Sequence, residues 1–108
     1  MIRKFAQAQA ENSGELPNRD TSLEAEFEAG VGKAAPLFKR AKGCRSLSLQ
    51  RSVEKPGRYR LFIGWDTVEN HTVDFRGSAD FQEWRKLVGH CFASPPEVEH
   101  VRETLKSF

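Results

Sequence analysis

Small apolar and polar positions alternate at the start of the chain, where Ala6, Ala8 and Ala10 are separated by Gln7 and Gln9. That is the period of a strand, and it predicts one over residues 2–10. Residues 11–20 gather turn formers and charges with no apolar periodicity and are expected to form an exposed connection. From Thr21, which has capping-box spacing to Glu24, the residues Leu23, Phe27, Val31, Ala34, Phe38 and Ala41 recur at helical intervals. This is one buried stripe of an amphipathic helix. Pro36 removes a backbone donor inside the pattern and is expected to kink or break it. Lys39, Arg40 and Lys42 fall where the helix dipole favours cations, and Gly43 is placed to end the helix.

Alternation then returns. Leu47, Leu49 and Val53 are interleaved with Ser46, Ser48, Gln50 and Ser52, and Lys55-Pro56-Gly57 supplies the residues of a type II turn. The second arm of this hairpin places Tyr59, Leu61, Ile63 and Trp65 on one face and Arg60, Phe62, Gly64 and Asp66 on the other. Asp66 and Glu69 repeat the capping-box spacing ahead of a short helix carrying Val68, His71, Thr72 and Phe75, which Gly77 stops. Ser78 is placed to cap a second short helix with Phe81, Trp84, Arg85, Leu87 and Val88, ended by Gly89. Pro95 and Pro96 forbid helix, and residues 97–105 alternate as a closing strand with an edge position.

The order strand, long helix, strand, strand, two short helices, strand is that of an α+β domain. It predicts a ferredoxin-like split βαβ fold with a four-stranded antiparallel sheet and its helices on one side. The other sheet face would carry Phe5, Gln7, Ser48 and Phe62, a polar lining with large aromatics that a second copy would cover. A homodimer with a barrel-like interior is therefore expected.

Composition narrows the function classes. A chain of 108 residues has room for one domain. Its formal charge is only +2, with both signs mixed along the chain, so no basic stripe for nucleic acid is indicated. The longest apolar run, Leu61-Phe62-Ile63, is far short of a membrane span, and the residues after Met1 lack the apolar segment of an export signal. A cytoplasmic setting is expected, with Cys44 and Cys91 reduced and too far apart in sequence for a CxxC site.

The run from Tyr59 to Asp66, then Glu69-Asn70-His71, Phe75-Arg76-Gly77-Ser78, Phe81, Trp84 and Pro95 to His100, resembles the antibiotic biosynthesis monooxygenase family. The Gly43 to Gly57 hairpin fits the same pattern, so the likeness covers about the last two thirds of the chain, with residues 11–20 unmatched. The resemblance implies a dimeric α+β barrel with a pocket between each sheet and its helices. It further implies oxygenation of an electron-rich phenolic ring by O2 without flavin, haem or metal, giving a quinone. Such chemistry requires a group to deprotonate the phenol, a water-poor cavity, and charge stabilisation as oxygen is reduced.

By the same resemblance Trp65 matches a pocket tryptophan that orients substrate, and Leu61, Phe75, Phe81 and Trp84 are expected beside it in contact with substrate. His71 lies where some members have a tyrosine and is the candidate base; Arg85 matches a pocket arginine that stabilises phenolate or superoxide-like charge. Leu61 replaces an asparagine that certain active members use for substrate contact. Plain readings stand beside these. Trp65 alternates with Leu61 and Ile63 as core, His71 shares a helix face with Val68 and Phe75, and Arg85 has surface acids such as Glu69 to pair with. His90 and His100 lack metal-ligand spacing and read as surface residues. Two other functions are compatible with the fold: a non-catalytic binding or pathway-accessory protein, and a haem-degrading enzyme. For the latter, the position expected to hold the axial histidine carries Arg85, and guanidinium cannot ligate iron.

Overall fold

The structure, a computed structural model, describes residues 8–16, 21–92 and 94–108. Four strands, β1 (Ala8–Glu15), β2 (Cys44–Arg51), β3 (Arg58–Trp65) and β4 (Glu97–Val101), form one antiparallel sheet in the order β2-β3-β1-β4. Helix α1 (Thr21–Lys39) crosses from β1 to β2 with β3 inserted between them, which is the split βαβ arrangement that the hydrophobic pattern predicts. A π-helical segment (Asn70–Phe75), helix α2 (Ala79–Val88) and a short 3-10 turn (Gly89–Cys91) complete the helical layer.

The first strand runs past its expected end. Ala8 and Ala10 are buried and Gln9 is exposed, as alternation requires, but the strand continues to Glu15 instead of turning at Glu11. Residues 2–7, including the expected outer-face residues Phe5 and Gln7, lie outside the described residues. The polar run Glu11 to Glu15 becomes strand because β1 is central: Asn12 faces Leu61 of β3 on one side and Val98 of β4 on the other. Backbone pairing on both edges outweighs the local turn preference of Asn, Ser and Gly.

Helix α1 also runs on where a break is expected. Phe27, Val31, Ala34 and Phe38 form the buried stripe, and Pro36 sits inside the helix in its last turn. Pro36 and Gly32, whose carbonyl loses its donor, are both exposed, and no neighbouring atom lies within 4 Å of a Cβ built at Gly32. Water can satisfy that carbonyl and the proline ring finds room, so the helix persists. The side chain of Thr21, and with it the expected cap, is not among those described.

The hairpin forms as its turn residues demand, with Arg58 N–H donating to the Lys55 carbonyl at 3.2 Å and Gly57 at φ 81°. On β3 the residues Tyr59, Leu61, Ile63 and Trp65 are all buried beneath the helices. The N-terminal cap after β3 is one residue later than its expected position. Thr67 Oγ1 accepts from Asn70 N–H at 3.0 Å while Asn70 Oδ1 accepts from Thr67 N–H at 3.1 Å. Asp66 is instead engaged by Arg45 through two hydrogen bonds of 2.7 and 2.8 Å. Ser78 caps α2 as expected, accepting from Phe81 N–H at 3.2 Å. The last strand ends at Val101 rather than 105, where Arg102, Glu103 and Thr104 offer no apolar side chain to the sheet.

Asn70 also locks the start of this segment to the end of α1. Gly43 adopts φ 78°, and a Cβ built there would overlap Asn70 Oδ1. A side chain at this position meets both a left-handed backbone and a filled space. Gly43→Ala is therefore expected to destabilise the domain by about 2 kcal/mol, lowering its melting temperature by roughly 8–16 °C. Thermal unfolding followed by circular dichroism checks this, and an unchanged midpoint would refute the packing argument.

Candidate active site

Between the inner sheet face and the helical layer lies a cavity of about 530 Å³. Its floor is Tyr59, Leu61 and Ile63 of β3, one wall is Phe27 and Phe38 of α1, and the other wall is His71, Phe75, Arg76, Phe81, Trp84 and Arg85. The aromatics brace one another: Phe38 meets Phe75 at 4.8 Å and Trp84 edge-on at 5.1 Å, and Phe75 meets Phe81 edge-on at 5.7 Å. Edge-on contacts of this kind are favourable between aromatic rings, and here they give the cavity an apolar wall.

Leu61, His71, Phe75, Phe81, Trp84 and Arg85 thus line one volume. Trp65 is placed differently. It is fully buried behind His71, with the two rings 5.3 Å apart and only 7° from parallel, and it is not among the residues lining the cavity. Its Nε1 is buried without a hydrogen-bond partner among the described residues. Trp65 supports the imidazole from behind.

His71 is 5% exposed, and its Nδ1 lies 2.8 Å from Nε2 of His100. One ring must donate and the other accept, which requires that the accepting nitrogen be unprotonated. Burial, the nearby Arg76 guanidinium and His100 push the His71 pKa down to about 4, so at neutral pH the ring is uncharged. When Nδ1 donates to His100, Nε2 of His71 holds a bare lone pair.

His100 is the residue that spacing alone misses. Its signal is the alternation of β4: Val98 borders the cavity, and His100, opposite the buried Ala10, shares that inward face while Glu97 and Glu99 face outward. The expectation that His100 is a surface residue is corrected by this register. His90 is exposed as expected, with Nε2 2.9 Å from Glu26 Oε1. Arg76, also not assigned a site role from sequence, is exposed and lines the cavity at the end of the π-helical segment.

Arg85 is exposed at the cavity edge, its Cζ 5.9 Å from the centre of the Phe81 ring, and it pairs with neither Glu69 nor any other acid among the described residues. Tyr59 is on the floor but is no base: its hydroxyl donates to Glu28, and burial with that hydrogen bond raises its pKa to about 12. Burial also raises the Cys91 thiol. Among the described residues no three His, Cys, Asp or Glu side chains gather as a metal site. No helix among them is long and apolar enough to cross a membrane.

Comparison with known proteins agrees with this architecture. Residues 21–87 match the antibiotic biosynthesis monooxygenase family. The chain is 40% identical over 81 residues to the uncharacterized protein YczJ of Bacillus subtilis, covering 75% of this chain and 85% of that one. It is 56% identical to a crystallised protein from Bordetella bronchiseptica whose name places it among the antibiotic biosynthesis monooxygenases, with a TM-score of 0.84 over 91% of this chain and 97% of that one. The Streptomyces coelicolor monooxygenase from the gene ActVA-Orf6, crystallised with nanaomycin D, shares the fold at a TM-score of 0.80 and 12% identity, over 95% of this chain and 92% of that one. With its split βαβ sheet and roofed aromatic cavity, the chain belongs to the antibiotic biosynthesis monooxygenase family.

Proposed function

We propose that this protein is a cofactor-independent monooxygenase that converts a small phenolic ring to a quinone with O2. The observation that carries this reading is a neutral imidazole and two guanidinium groups on one aromatic-walled cavity. The overall conversion is phenol plus O2 to quinone plus water: one oxygen atom is bonded to the ring carbon, the other leaves as water, and the ring supplies all the electrons. His71 takes the phenolic proton at Nε2, and His100 holds the ring through Nδ1.

Magnitudes show that His71 does not suffice by itself. A phenol near pKa 10 facing an imidazole at about 4 leaves roughly six units, or about 8 kcal/mol, against transfer. An opposite charge close to the phenolate lowers its pKa by roughly 1–3 units, so two guanidinium groups offset much of the difference. Arg85 and Arg76 are thereby assigned to phenolate and to the charge that develops as oxygen is reduced. Leu61, Phe75, Phe81 and Trp84 hold the ring plane and exclude water, and Trp65 fixes the plane of His71 by stacking. The working unit in this proposal is a homodimer joined through the outer sheet face, where half-buried Phe62 stands among exposed Ser46, Ser48, Gln50 and Arg60.

Oxygen uptake with hydroxylated anthrones, naphthols and related quinols tests the reading. The wild-type protein is expected to consume oxygen with at least one of them. His71→Gln is expected to lower the rate by about 10²–10⁴-fold and Arg85→Gln by about 10²-fold. No uptake above a protein-free control across the panel would overturn the proposal. Stability gives a second check that needs no substrate. Unfolded, His71 takes up a proton near pH 6.5, but folded only near 4, so in that window the unfolded state binds more protons. The stabilisation is full above pH 6.5 and is lost as pH falls toward 4, by up to about 3 kcal/mol. Urea unfolding at both ends of the window should show a smaller acid loss for His71→Gln than for wild type; equal losses would contradict the burial of a neutral imidazole.

A further inference from the structure

We infer that the cavity selects an aromatic substrate that already bears a negative charge, an aryl carboxylate, with Arg76 and Arg85 as the residues that recognise the anion. This rests on the reading of the cavity as the substrate site and narrows the class of substrate. Arg76 and Arg85 both line the cavity, and no Asp or Glu does among the described residues. Elsewhere among the described residues four arginines pair with acids, Arg40 with Asp80, Arg45 with Asp66, Arg51 with Glu24 and Glu28, and Arg60 with Glu11, while Arg58, which is away from the cavity wall, has no ion pair.

The acids closest in sequence to the two cavity arginines are each engaged by another group. Asp74 accepts from Asn70 Nδ2 at 3.0 Å, Asp80 is held by Arg40 through two hydrogen bonds of 2.7 Å, and Glu83 meets Lys86 at 3.5 Å. Neither Arg76 nor Arg85 has an acid partner among the described residues. Both line the cavity wall formed by the helical layer, Arg76 at the end of the π-helical segment and Arg85 on α2 with its Cζ 5.9 Å from the centre of the Phe81 ring. In a chain of net charge only +2, an apolar hollow with two unpaired guanidinium groups at its edge is complementary to a flat ring ending in a carboxylate, which a guanidinium fork accepts bidentately. A neutral phenol answers these charges only once it ionises, whereas a carboxylate engages one fork on binding and leaves the other for the phenolate.

Isothermal titration calorimetry near neutral pH with a hydroxynaphthoate, its methyl ester and the parent naphthol tests this directly. The acid is expected to bind about tenfold or more tightly than either neutral probe, and Arg76→Gln and Arg85→Gln each to weaken the acid about tenfold while changing the ester less than about twofold. Lys33→Gln, an exposed change on α1 away from the cavity wall, should alter neither. Equal affinity for acid and ester, equal losses for both in the arginine variants, or no binding of any probe would overturn the inference. Selective binding of the acid without oxygen uptake would uphold it while removing the oxygenase reading; uptake indifferent to the carboxylate would do the reverse.

Discussion

An uncharged imidazole buried between an indole and a second imidazole is the constraint on which the site depends. Trp65 comes from β3, His71 from the π-helical segment and His100 from the edge strand β4, so three separately folded elements meet at one ring. Among the described residues no carboxylate favours the charged form of His71; burial, Arg76 and His100 oppose it. The ring is therefore held as a hydrogen-bonding group rather than an ion, and its protonation is coupled to whatever negative charge enters the cavity. A phenolate at Nε2 would reverse the balance, because an imidazolium beside an anion is no longer an isolated buried charge.

The hollow persists because its walls are braced by contacts that filling it would break. Phe38 is held by Phe75 and Trp84, Phe75 by Trp65 and Phe81, and Phe27 by Tyr59 and Phe92. Gly14 matters on the opposite side: a Cβ built there would lie 2.7 Å from the Phe92 ring, so the glycine gives that ring its place at the cavity edge. The glycine is also one of the residues that made this part of β1 look like a loop.

Much of this fold was legible in the sequence, and the failures have physical causes. The face of β3, the type II turn at Pro56-Gly57 and the Ser78 cap rest on strong local rules, and each is present. The extension of β1 through polar residues was hidden because it depends on neighbours on both sides, a tertiary effect that no window of β1 contains. The cap at Thr67 and Asn70 was missed because Asp66 is an equally good capping residue until Arg45 engages it. Most of the cavity wall was read through a family likeness, whereas His100 and Arg76 required the register of β4 and the phase of the π-helical segment. A π-helical turn shifts side-chain phase relative to an α-helix, so helical spacing from Val68 does not by itself fix which residues face inward.

The division of labour across the cavity bears on how such a domain changes its chemistry. The sheet supplies a floor of Leu61 and Ile63 together with Tyr59, whose hydroxyl is committed to Glu28 and whose raised pKa keeps it protonated. Ionisable groups of the cavity that can serve a substrate, His71, Arg76 and Arg85, lie between residues 71 and 85 on the helical layer. Strand registers fix the fold, so a change on the floor risks the core, while the exposed arginines can vary without disturbing it. Leu61 fits this separation. On the reading proposed above, an apolar residue there leaves recognition of the polar end of a ligand to the helical layer, and positions 76 and 85 are where a preference for an anion over a neutral ring would be set.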